Sequence, residues 1–224
     1  MAESVFVVGG TGYIGSRVTA ALVSGGHRVR LLVRRGSEGK APAGCEVVVG
    51  DPFDRSTFLH SLAKGDTCLQ LLGVPHPSPA KAKQFIDIDL RSATESIAAA
   101  SVAGAGHFVY MSVAQPAPVM QAYQQTRREA ERLLILSGLR RTIVRPWYVL
   151  GPGHRWPYAL LPAYWVLERL PSTRERALRL GLVTIDQMVA ALVGAIEYPP
   201  GRERIMGVPE IRARPSEEKG EAAR

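Results

Sequence analysis

Cysteine is nearly absent. The chain of 224 residues has two, Cys45 and Cys68, each inside an apolar run and neither near another ligand at metal-binding spacing. That excludes a disulfide framework and a thiolate metal centre, and reads as buried small hydrophobes in a reducing compartment. Nor is there an apolar run long enough to span a bilayer. The longest, YALLPAYWVL from Tyr158 to Leu167, is interrupted by proline. The N-terminal residues lead almost directly into a strand-like stretch, with no basic leader or cleavage site, so the expectation is a cytoplasmic protein. Lysine is scarce too. The formal net charge of +8 comes overwhelmingly from arginines scattered between Arg17 and Arg224. Without a lysine-rich block or aromatic–basic interleaving, nucleic-acid binding is set aside as the main function.

What is present is an ordinary globular mix, 46% hydrophobic and 21% charged, enough to build a sizeable core. Short β-branched runs alternate with helical patterns. Strands are expected at 4–8, 28–33, 46–50, 67–72, 107–112 and 141–145. Helices are expected at 11–24, 80–103 and 121–136. Continuous apolar strands separated by helices imply an α/β fold, a Rossmann-type doubly wound parallel sheet. After Pro146 prolines accumulate. A short strand and an amphipathic helix follow between Leu182 and Tyr198, and RIMGV (204–208) offers one more strand. The expected division is a nucleotide-binding domain over 1–150, a small substrate or lid region over 151–211 and a flexible tail over 212–224.

The stretch FVVGGTGYIGSR places Gly9, Gly12 and Gly15 three apart at the end of the first strand. Strand, glycine turn and helix together form a cradle for a diphosphate. The glycines leave no Cβ in the way, and the helix start offers free amides and a positive dipole end. Gly9, Gly10, Thr11, Gly12, Tyr13, Ile14 and Gly15 are therefore candidate cofactor contacts. The second strand ends in Arg34 and Arg35, where NAD-preferring sites usually carry an acid. Guanidinium groups attract the 2′-phosphate of NADP, so NADP is expected over NAD. Asp51, after the third strand, is placed to reach the adenine ring. Leu72 and Gly73, after the fourth, would flank the other side of the dinucleotide.

The motifs GGTGYIG, GD after the third strand, HFVYMSV, YQQTRREAE and IVRPWYVLGPG occur in order across Val5–Pro209. Together they resemble the short-chain dehydrogenase/reductase superfamily in its extended or atypical branch. That branch includes nucleotide-sugar epimerases, steroid dehydrogenases, NmrA-like redox-sensing regulators and accessory subunits of respiratory complex I. The resemblance implies the fold and an NAD(P) cofactor, with Pro146 of the last motif among its contacts. It implies a catalytic Ser112, which anchors the substrate oxygen, and Tyr123, which transfers its proton. Arg127 stands where the family has lysine. Spacing of four puts Tyr123 and Arg127 on one helix face, with Ala130 and Leu134 continuing that face toward the sheet. Arginine supplies the positive charge but not the ribose geometry of lysine. Two readings stay open: an oxidoreductase or epimerase-like enzyme, and a cofactor-binding sensor or assembly subunit without turnover.

His154 and Trp156 fall where the family builds its substrate pocket, and His76 lies in a loop at the cofactor edge. The aromatic segment 156–170 reads as a pocket lid, or as a surface for a protein partner, a quinone-like ligand or a membrane face. The short C-terminal region leaves little room for a nucleotide-sugar, which favours a smaller or more apolar small-molecule substrate. No residue set resembles a metal site.

Overall fold

The computed structural model describes residues 2–153 and 159–213. Seven strands form one parallel sheet: β1 (Ser4–Val8), β2 (Arg28–Val33), β3 (Glu46–Val49), β4 (Thr67–Gln70), β5 (His107–Met111), β6 (Arg141–Val144) and β9 (Glu203–Met206). Their order is β3-β2-β1-β4-β5-β6-β9. The chain winds outward from β1 in one direction, then returns to place β4 on its other side. The carboxyl ends of β1 and β4 therefore face the crevice where the winding reverses.

Alternation along each strand divides the core into two layers. Val5 and Val7 of β1 pack with Val18 and Leu22 of α1 (Tyr13–Ser24) and with Met188, Leu192 and Ala195 of α7 (Ile185–Glu197). Phe6 and Val8 face the opposite layer, which holds Ala93, Ile97 and Ala100 of α3 (Arg91–Ala103) and Ala130 and Leu134 of α4 (Gln121–Leu136). This is the period-two pattern of a sheet covered on both sides.

The expected elements are present, with two departures. The helix expected over 80–103 begins as α2 (Ala82–Gln84), widens into a π-helical turn at Phe85–Leu90 and continues as α3. The division at residue 150 does not separate two bodies. Strand β9, from the expected substrate region, completes the main sheet beside β6, and α7 supplies one of its faces. What lies outside the sheet is a layer made of β7 (Tyr148–Leu150) paired in parallel with β8 (Leu182–Thr184), with α5 (Leu161–Leu167) and α6 (Arg174–Arg179) between them. Thr184 and Gln187 form a capping box that starts α7 directly after β8. Of the expected tail, Arg212 and Ala213 end helix α8 (Val208–Ala213), and the rest lies outside the described residues.

At the amino end of β5, His107 is buried. Its Nε2 pairs with the Thr142 hydroxyl at 3.0 Å and its Nδ1 has no partner. Burial, with Arg140 and Arg204 nearby, pushes its pKa down to about 4. A histidine held neutral in the fold contributes nothing above pH 6.5. Below that value the unfolded chain takes up the proton and the folded chain does not, so stability falls until about pH 4. The expected loss is about 3 kcal/mol, from about 1.4 kcal/mol per tenfold difference in proton affinity. Denaturant titrations of wild type and His107→Gln at pH 7 and pH 4.5 measure it, with a smaller pH difference expected in the variant.

Candidate functional site

The turn after β1 is built by contact distances that only glycine meets. Gly9 has φ +86°, and a Cβ there would lie 2.5 Å from the amide nitrogen of Leu72. A Cβ on Gly10 would stand 2.7 Å from the Thr19 hydroxyl, and one on Gly15 would collide with the Gly9 carbonyl. Gly12 is the N-cap of α1, which has neither a side-chain cap nor an acidic residue in its first turn. The helix thus begins one or two residues later than its expected start and meets the cleft with backbone amides and its positive end.

In front of this turn is a cleft of about 380 Å³. Gly9, Thr11 and Gly12 line it on one side, Leu72 and Gly73 on the other, and Arg34, Ser37 and Lys40 at the β2 end. A depression of about 580 Å³ shares Arg34 and Phe53 with it and adds Arg35 and Asp51. Six of the expected cofactor residues thus line the main cleft, and Arg35 and Asp51 its extension. Gly10 and Gly15 shape the turn from behind, Ile14 packs on the core, and the Tyr13 hydroxyl lies against Gly151. Pro146 accepts the Ala114 amide through its carbonyl at 2.8 Å and lines neither space. Ser37, Lys40 and Phe53 were not anticipated, although the polar loop GSEGK directly after Arg34-Arg35 carried the signal for the first two. Next to Arg35, backbone amides at Glu38 and Gly36 hold the exposed Glu38 carboxyl below its usual range, with a smaller contribution from Arg35.

The second group centres on Arg127, whose side chain is 2% exposed. Its Nη2 donates to Oδ1 of Asp89 at 2.6 Å, and its Nη1 to the Met111 carbonyl at 2.8 Å and the Tyr110 hydroxyl at 3.3 Å. Oδ2 of Asp89 accepts the Val74 amide at 2.9 Å. The guanidinium lies 5.0 Å from the ring centre of Tyr123, and Tyr123 packs on Phe85 at 4.9 Å. On the other side, a Cβ on Gly73 would run into Nη2 of Arg127. Arg127 therefore sits between the cleft wall and Tyr123. Burial works against its charge, but Tyr123, Tyr110 and Asp89 more than offset this and hold its pKa above the usual guanidinium value. Burial pushes the Asp89 carboxyl up, against the pull of Arg127 and the Val74 amide, and pushes Tyr110 up to about 12.

Tyr123 and Arg127 share a helix face as their spacing requires, and Ala130 and Leu134 continue it into the core. Ser112, 3% exposed, belongs to a different network. Its hydroxyl donates to Glu131 at 2.5 Å, and Glu131 also holds Arg145 through two hydrogen bonds and Gln115 through one. Asp89 was not anticipated. The available signal was an arginine at a core-facing position of α4, which requires a buried carboxylate nearby. A third cleft, of about 330 Å³, opens at the ends of β5, β6 and β9 among Gln115, Arg145, Arg179 and Val208. His76 is exposed in a left-handed conformation, and its carbonyl accepts from Lys81. His154 and Trp156 lie outside the described residues. Among the described residues no cluster could hold a metal ion, and no helix is long and apolar enough to cross a membrane.

A parallel sheet with this strand order, glycine turn and cleft defines a dinucleotide-binding Rossmann protein. The chain belongs to the NAD(P)H-binding family, whose sequence pattern matches residues 9–157. It is 29% identical over 152 residues to an uncharacterized sugar epimerase of Bacillus subtilis, YhfK, covering 63% of this chain and 70% of that one. It is 27% identical over 211 residues to a ceramide reductase of Caulobacter vibrioides, covering 92% of this chain and 63% of that one. The Bordetella bronchiseptica enzyme WbmH, solved in complex with NAD+, shares the fold with a TM-score of 0.68 at 18% identity, covering 91% of this chain and 75% of that one.

Replacing Gly15 by alanine forces a methyl group against the Gly9 carbonyl and displaces the turn. Gly39→Ala, where an added Cβ meets nothing within 4 Å, serves as the control. Fluorescence titration with NADPH is expected to show affinity reduced by about tenfold or more in Gly15→Ala, from loss of oriented amide contacts. Gly39→Ala is expected to bind as wild type does.

Proposed function

We propose that this protein is an NADP(H)-dependent oxidoreductase of the epimerase/reductase type, acting on a small apolar carbonyl or hydroxyl compound. The diphosphate would rest on the backbone of Gly9–Gly12, and the 2′-phosphate among Arg34, Arg35 and Lys40. The observation that carries this reading is the β2 end of the cleft. Among the described residues, Arg34 and Lys40 line the main cleft and no carboxylate does, Asp51 lying in the adjoining depression. A guanidinium pair beside a phosphate is favourable in charge and in hydrogen-bond geometry.

The bound nicotinamide would supply or accept a hydride. Tyr123 would give or take the proton at the substrate oxygen, through its hydroxyl at the start of α4. Arg127 would hold the Tyr123 ring from beneath and fix the Gly73–Val74 backbone through Asp89. It would not take over the ribose contact that the family lysine makes, because its Nη1 and Nη2 are engaged by Asp89, Met111 and Tyr110 and its Nε is buried. Ser112 would keep the loop after β5 in place through Glu131.

The same commitments favour a second reading, a dinucleotide-binding sensor without turnover. Two of the three groups of the family's catalytic set are engaged inside the protein.

Two measurements separate these readings. NADPH oxidation is followed with a panel of aldehydes, ketones and quinones. Tyr123→Phe is expected to lower turnover about 10²- to 10⁴-fold, the usual share of positioned proton transfer. Full activity in that variant removes Tyr123 from the chemistry, and tight NADPH binding with no turnover selects the sensor. In Arg34→Asp/Arg35→Ala the preference for NADP over NAD is expected to fall by about tenfold or more, since charge-assisted hydrogen bonds contribute about 1.5–3 kcal/mol. An unchanged preference rejects the 2′-phosphate assignment.

A further inference from the structure

The segment between β7 and β8 buries Ala177 of α6, is tied to α8 through Arg212, and leaves most apolar side chains of α5 exposed. In α5 and the turn that follows it, Tyr164 and Glu168 are half-buried and lie one helical turn apart. Glu168 accepts from Nη1 of Arg212 at 2.8 Å, and Nε of Arg212 reaches the Leu182 carbonyl at 2.8 Å. Leu161, Trp165, Val166, Leu167 and Leu170 are exposed, Trp165 by 60%. This reverses the usual arrangement of a surface helix, which turns its apolar side to the core.

The charges around this face are also unbalanced. Glu168 is paired with Arg212, and Glu175 with Arg179 at 3.2 Å. Arg169, Arg174 and Arg176 are exposed and have no carboxylate partner among the described residues. The Arg169 guanidinium lies 3.8 Å from the Trp165 ring centre, and its Nη1 donates to the Trp165 carbonyl at 2.8 Å. An indole with a cation stacked on it, beside exposed leucines and flanking arginines, suits a boundary between acyl chains and anionic headgroups.

We propose that the α5–α6 face docks peripherally on an anionic lipid bilayer. Leu161, Trp165, Val166 and Leu170 enter the headgroup boundary, and Arg169, Arg174 and Arg176 engage headgroup phosphates. A second copy of the chain fits less well. A two-fold contact would bring the three arginines of both copies into one interface, with no unpaired carboxylate among the described residues of the α5–α6 segment to meet them.

The test is sedimentation of the full chain with vesicles of phosphatidylcholine alone or of phosphatidylcholine with phosphatidylglycerol, at low and high salt. Wild type is expected to pellet with the anionic vesicles and to be released by salt. Trp165→Glu/Val166→Glu is expected to remain in the supernatant while its thermal melt matches wild type, since both side chains are exposed. Arg169→Gln/Arg174→Gln/Arg176→Gln is expected to weaken partitioning by about fivefold for each arginine removed. The proposal is overturned if wild type stays in solution with both vesicle types, or if the two variants pellet as wild type does. It is equally overturned if wild type is a dimer that Trp165→Glu/Val166→Glu dissociates, with no vesicle binding. None of these readouts involves the dinucleotide.

Discussion

The architecture of the site depends on how closely β1 and β4 approach at their carboxyl ends. The Gly9 backbone passes against Leu71 and Leu72 with no room for a methyl group, and Gly15 in the first turn of α1 sits on the Gly9 carbonyl. These two contacts fix the direction in which α1 leaves the sheet. They also aim its uncapped amino end at the cleft, where backbone donors and the helix dipole act together. Because the winding reverses between β1 and β4, the main cleft opens at that point, in front of the glycine turn.

The Asp89–Arg127 pair carries that geometry to the far wall. A buried ion pair adds little net stability over an apolar pair, but removing one partner leaves the other charge stranded at a cost of about 3–5 kcal/mol. Its effect here is positional. Asp89 takes the Val74 amide on one oxygen and Arg127 on the other, so the segment after β4 is tied to α4. The π-helical turn at Phe85–Leu90 contains both Asp89 and the ring that packs on Tyr123. Such widened turns often occur at functional sites, because the extra residue re-aims side chains that a regular helix would place elsewhere. One distortion thus sets both the carboxylate beneath the cleft wall and the aromatic neighbour of the candidate proton donor.

The sheet and the glycine turn were legible in the sequence, because their signals are local. β-branched runs mark the strands, and glycines at spacing three announce the turn. The second network was not, because its logic is long-range. Asp89 and Arg127 are 38 residues apart, Ser112 and Glu131 are 19 apart, and no spacing rule joins them. The partners of Arg127 were hidden for the same reason. The sequence shows a cation in place of a lysine, but not the carboxylate that takes up its donors. β7 was missed because three residues after a proline leave too short a pattern, and its partner β8 is 32 residues downstream. The place of β9 in the main sheet followed from topology, not from composition.

The arginine excess, which looks like scatter along the chain, sorts by burial once folded. Arg30, Arg127, Arg141 and Arg145 each meet a carboxylate, at 2.6, 2.6, 2.6 and 2.5 Å. A guanidinium satisfies two acceptors at once with a fork that lysine lacks, so it serves as a buried tie between strands and helices. Among the described residues, the arginines without a carboxylate partner include Arg34 and Arg35 at the cleft end, Arg140 and Arg204 near His107, and Arg169, Arg174 and Arg176 after α5. Uncompensated positive charge gathered in one place is where an anion gains most. On the two proposals made above, part of the net charge of +8 would serve phosphate groups, one on a nucleotide and one at a bilayer surface.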